Sequence, residues 1–143
     1  MPTDDADYRI ERDPLFTFVQ VTDTHLIAGR SADKVERAIR DINRLSPEPA
    51  FAAVTGDIIN GEKPKESTAL AEELCSRLEC PVYPAFGNHD NREAFTDMLG
   101  PLNRSFDRGP YHFIVLNSIG KNAEDTFGCR FSDDTVSWLR RRL

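Results

Sequence analysis

The stretch VYPAFGNHD, residues 82–90, sets an apolar, strand-like run directly against a glycine, an amide, an imidazole and a carboxylate. Two earlier stretches have the same design. FTFVQVTDTH (16–25) runs from apolar residues into Asp23 and His25, and AFAAVTGD (50–57) runs into Gly56-Asp57. A short apolar run bounded by polar turn residues reads as a buried strand, so each polar cluster is expected at the carboxyl end of its strand.

The segments between these runs read as helices. In SADKVERAIRDINRL (31–45), Ser31 is a candidate N-cap, and Val35, Ala38, Ile39, Ile42 and Leu45 share one face at helical spacing. Leu70, Leu74 and Leu78 mark a second helix at steps of four. A short third helix is expected over 91–99, with Ala94, Phe95, Met98 and Leu99 on its apolar side and Gly100-Pro101 as its stop. YHFIVLN (111–117) reads as a fourth strand, whose alternation puts His112 on the face of Ile114 and Leu116, as a packed or sheet-face histidine. The final helix carries Ser132 or Asp133 as cap, Val136, Leu139 and Leu143 as its stripe, and three arginines in its last turn, where the helix dipole favours cations.

Strands alternating with helices predict an α/β fold with parallel βαβ units, in which ligands sit beyond the carboxyl ends of the strands. Asp23, His25, Asp57, Asn88, His89 and Asp90 should therefore converge at one sheet edge. Taken singly, each of these residues is an ordinary turn or cap residue. Together, each following an apolar strand, they describe a site. Carboxylates, an imidazole and an amide oxygen are borderline-hard ligands, suited to Mn, Fe or Zn rather than to thiolate-loving metals or an all-oxygen calcium cage. Two such ions about 3.5–4 Å apart would activate water and clamp the oxygens of a phosphate ester.

Composition narrows the partners. With 39% apolar and 29% charged residues, the 143-residue sequence has the make-up of one soluble globular domain, cytoplasmic by expectation. A balance of 18 basic against 24 acidic residues, net −6, opposes nonspecific binding to nucleic acid or anionic membrane, while leaving room for a small anionic substrate beside a local cation. Residues 1–14 read as an acidic solvated tail without the apolar core of a secretory signal, and no run approaches the about 20 apolar residues of a membrane span. Cys75, Cys80 and Cys129 read as reduced, partly buried thiols, since no second pair completes a structural zinc site.

Asp23-Thr24-His25, Gly56-Asp57 and Gly87-Asn88-His89-Asp90, in that order, resemble the first three motif blocks of the calcineurin-like metallophosphoesterases. TDTHL with GNHDNR is most similar to the branch of bacterial cyclic-nucleotide and glycerophosphodiester phosphodiesterases. The resemblance covers residues 15–143. It implies a four-layer αββα fold, a β-sandwich flanked by helices, and a binuclear centre using a metal-bound hydroxide. Asp23 and His25 would bind the first ion, Asp57 would bridge and Asn88 would bind the second. His89 would stand near the leaving-group oxygen with Asp90 orienting its ring, and Arg92 is a candidate contact for substrate phosphate.

The family pattern continues with a further histidine and a GHxH block, neither of which occurs here; the histidines are His25, His89 and His112. The sequence therefore reads as the N-terminal half of such a domain, with one ion or none expected in this chain alone. A half sandwich should expose an apolar sheet face and self-associate. The competing reading is a truncated, catalytically inactive metal-binding, phosphate-binding or assembly module of the same fold. A flavodoxin-like phosphate-binding domain is disfavoured, because no glycine-rich loop follows the first strand.

Overall fold

A computed structural model of the chain describes residues 15–121 and 127–143. The expected tail, 1–14, and the side chain of Cys129 lie outside the described residues. Three parallel strands, β1 (Val19–Thr22), β2 (Ala52–Thr55) and β3 (Val82–Ala85), form a sheet in the order β1-β2-β3. They alternate with α1 (Asp33–Ile42) and α2 (Pro64–Ser76), and α3 (Arg92–Met98) follows β3. Among the described residues no helix is long and apolar enough to cross a membrane.

Period-2 alternation divides the sheet. Ala52, Val54 and Val82 turn toward the helices, where Ile39 of α1, Leu74 and Ala71 of α2 and Phe95 of α3 close a core with Leu26, Ile58, Ile59 and Phe86. Burying these side chains is the main force holding the helices to the sheet, at roughly 1.5–3 kcal/mol for each large one. The opposite face carries Gln20, Thr22, Ala53, Thr55 and Tyr83. Its amino-terminal end is aromatic: Phe51, 2% exposed, packs against Phe18, Phe106 and Phe113.

The predicted strand at 111–117 forms, as β5 (Tyr111–Val115), in a separate hairpin with an unanticipated antiparallel partner, β4 (Arg104–Arg108). The hairpin covers the aromatic end of the second face by stacking Phe106 on Tyr83. The apolar face expected to lie open is correspondingly narrower, with Phe18 half exposed at its margin and the polar pair Gln20 and Thr55 hydrogen-bonded at 2.9 Å beyond it. His112 is a sheet-face histidine rather than a packed one. Its ring is 42% exposed, and Nδ1 lies 2.6 Å from Oδ1 of Asp107, its register partner across the hairpin.

β6 (Ile119–Lys121) and β7 (Phe127–Cys129) make a second antiparallel pair, and α4 (Asp133–Arg140) ends the chain. Ser132 caps α4 as expected, accepting from the Thr135 amide. The helix stops at Arg140, so Arg141 is its C-cap and one arginine, rather than three, sits in the last turn. Leu143, 89% exposed, is no part of an apolar stripe, and Thr135 is the buried residue instead. In α1 the cap shifts by one residue. Ala32 occupies the N-cap, and Ser31 accepts the Asp33 amide from just outside the helix.

Candidate metal centre

Thr22, Thr55 and Ala85 lie side by side in register, so the three polar clusters leave the sheet at one edge. The chains leaving β1 and β2 stay paired beyond it. The His25 amide donates to the Asp57 carbonyl at 2.9 Å and the Leu26 amide to Ile58 at 2.9 Å, and Leu26 bridges to Ile59. Asp23, His25 and Asp57 reach their places through left-handed backbone, with φ of 55°, 45° and 42°. Asp and His are among the few non-glycine types that tolerate this region, and the conformation costs about 1–3 kcal/mol at each position. The paired extensions and the buried core around Ile58 and Ile59 hold the residues there.

The three side chains meet. His25 Nε2 lies 3.9 Å from Asp23 Oδ1 and 3.9 Å from Asp57 Oδ2, and one donor atom from each residue lies within 4.8 Å of the others. These separations are too long for hydrogen bonds, and a small inward adjustment of the side chains would bring the three donor atoms to the about 2.0–2.2 Å at which they could share one ion. Two further contacts set which atoms face inward. His25 Nδ1 lies 3.1 Å from Asn60 Oδ1, turning Nε2 toward the carboxylates. Oδ1 of Asp57 accepts the His89 amide at 3.0 Å, leaving Oδ2 toward His25. The donor set fits a transition-metal ion.

Asn88 is exposed, one residue before the amide that holds Asp57. The His89 ring stands edge-to-face with that of His25, centroids 5.1 Å apart, so the imidazole borders the cluster without entering it. Asp90, expected to orient the His89 ring, holds two backbone amides. It is buried, 8% exposed, and its two oxygens accept the amides of Ile59 at 2.9 Å and Gly87 at 2.8 Å. Burial raises its carboxyl above the ordinary range, and the two amide bonds oppose that shift. Arg92 begins α3, where Asn91 caps the helix by accepting from Ala94. Its guanidinium lies 5.2 Å over the Phe86 ring and donates to the Ile119 carbonyl at 3.3 Å, in a cleft shared with Asn88.

Two contributors escaped the sequence reading. Asn60 gave one signal, a lone amide closing the apolar pair of GDIIN. Gly87 gave none beyond its place in the motif, yet it is the residue that lets the loop after β3 lie against Asp57.

Comparison with known proteins places this sequence in a family. A probable cyclic nucleotide phosphodiesterase of Rhodopseudomonas palustris is 43% identical over 95 residues, covering 61% of this chain and 34% of the relative. A 3',5'-cyclic-nucleotide phosphodiesterase of Nostoc is 30% identical over 139 residues, covering 89% and 51%. A glycerophosphodiester phosphodiesterase of Enterobacter lignolyticus is 27% identical over 151 residues, covering 97% and 49%. The chain thus spans a third to a half of the length of these relatives. The sequence profile of one family matches residues 16–140, a stretch that includes all three strand-end clusters. The chain belongs to the calcineurin-like phosphoesterase family.

Proposed function

We propose that this chain forms the amino-terminal part of the catalytic centre of a metal-dependent phosphodiesterase acting on a small substrate. The convergence of Asp23, His25 and Asp57 around one point carries the reading. Asp23 and His25 would hold one ion. Asp57 would serve both that ion and a second, and Asn88 would add its side-chain oxygen to the second. Mn, Fe or Zn suits this donor set. Ions so held supply Lewis-acid activation of a water and neutralise charge on a phosphate ester.

The chain's own residues do the rest. His89, at the border of the cluster, would donate a proton toward the leaving oxygen or stabilise its charge. Arg92, a cation in the cleft beside Asn88, would meet a phosphate oxygen. The names of the relatives support a small diester, a cyclic nucleotide or a glycerophosphodiester, as the substrate class.

The test is Mn²⁺-stimulated hydrolysis of bis(p-nitrophenyl) phosphate by the full-length protein, with and without Asp57→Asn. A fall of at least 10²-fold together with loss of bound metal is expected. Parent-level hydrolysis by Asp57→Asn would sink the assignment.

A further inference from the structure

We infer that Asn60 is a positioning residue for the metal centre: its side-chain oxygen accepts from Nδ1–H of His25 and so turns Nε2 of the ring toward the place of an ion. The inference rests on the reading of Asp23, His25 and Asp57 as ligands and assigns a role to a residue outside that set. Three observations carry it. Asn60 Oδ1 is 3.1 Å from His25 Nδ1, and an amide oxygen accepts but cannot donate. On the other side of the ring, Nε2 faces Asp23 Oδ1 and Asp57 Oδ2, each at 3.9 Å. The backbone of Asn60 is itself fixed, since its amide donates to the Leu26 carbonyl at 3.1 Å, next to the Leu26–Ile59 bridge.

Neutral imidazole in water favours neither nitrogen strongly enough to be a ready-made ligand, and the partner of one nitrogen decides the state of the other. Asn60 is the partner that the fold supplies at Nδ1. The left-handed backbone of His25 makes this partner more consequential, because the ring is delivered by a single residue in an uncommon conformation and needs a second point of attachment.

The experiment has a readout independent of turnover. The ring nitrogens of His25 in the metal-free full-length protein, at a pH where the imidazole is neutral, are observed by long-range ¹H–¹⁵N correlation. The Nδ1–H tautomer is expected, and a dominant Nε2–H tautomer overturns the inference without any variant being made. Zn²⁺ is then titrated against a competing chelator and followed at the same resonances. Asn60→Leu, similar in size but unable to accept, should need about 10- to 100-fold more free Zn²⁺ for half occupancy, and Asn60→Asp, which keeps an acceptor, should restore binding. An unchanged Zn²⁺ curve for Asn60→Leu overturns the inference while leaving the ligand assignment intact. Failure of the parent protein's His25 to take Zn²⁺ overturns the ligand assignment itself, and the inference with it.

Discussion

A Cβ placed on Gly87 would overlap the backbone nitrogen and Oδ1 of Asp57 and stand 2.8 Å from the Gly56 carbonyl carbon. Here the requirement for glycine is one of space, since backbone of the two strand-end loops fills the volume that any side chain would enter. The close approach brings the His89 amide to Asp57 Oδ1. Gly87→Ala should therefore separate the loops, destabilise the fold by about 1–3 kcal/mol and lower metal content. Urea denaturation and metal analysis check this; an alanine variant with the parent's midpoint and metal content would show that the loops have slack.

Asp90 fastens the same two loops from below. Its carboxylate takes the buried amides of Ile59, beyond β2, and Gly87, beyond β3. Asp90→Ala would leave both donors unsatisfied at about 1–3 kcal/mol each, while Asp90→Asn would keep one acceptor and turn an NH₂ toward the other amide. The expected order of stability is parent, then Asn, then Ala, read as urea midpoints. An alanine variant as stable as the parent would remove Asp90 from this role.

The two aspartates mark where sequence reading ends. The strand ends at Asp23, Asp57 and Asn88 were legible because the switch from an apolar run to polar residues is local, and parallel pairing then brings the switches to one edge. The two amides that Asp90 holds were not legible, because its chain neighbour is His89 whereas those amides come from two loops. Asn60 was missed for the same reason: its contact with His25 depends on the pairing of Leu26 with Ile59. β4, RSFDR, has one large apolar residue and no strand signature. It becomes a strand because it pairs with Tyr111–Val115 and because Phe106 stacks on Tyr83 and Phe113.

On the proposed function, His89 should act on chemistry rather than on metal binding. Its ring borders His25 at 5.1 Å, but its hold on Asp57 is through the backbone amide, which alanine retains. His89→Ala should lower kcat for diester hydrolysis by roughly 10²–10⁴-fold with metal content unchanged. Loss of metal in proportion to activity would instead make the ring a ligand.

Arg92 should act on binding. Its guanidinium is steadied by the Phe86 ring and the Ile119 carbonyl, and the residue remains exposed. If the contact is equally strong in the ground and transition states, Arg92→Ala raises KM by about tenfold with kcat little changed, and Arg92→Lys recovers part of the loss. A fall in kcat at constant KM would place Arg92 on the transition state instead.

Cys75 gives a pH dependence remote from the metal centre. It lies in α2 against the core, and burial pushes its thiol up from an ordinary 9.0 to about 11. The unfolded chain ionises this thiol near 9 while the folded chain holds its proton, so the stabilisation is complete below pH 9 and is lost as the pH rises through about 11. Thermal unfolding between pH 8 and 11 should show the parent losing stability more steeply than Cys75→Ala, a comparison that cancels the titration of tyrosines. At pH 8 iodoacetamide should label Cys75 slowly in the native protein and rapidly in urea, because the thiolate is the reactive form. Equal labelling rates in the two states would mean that the thiol is neither buried nor shifted.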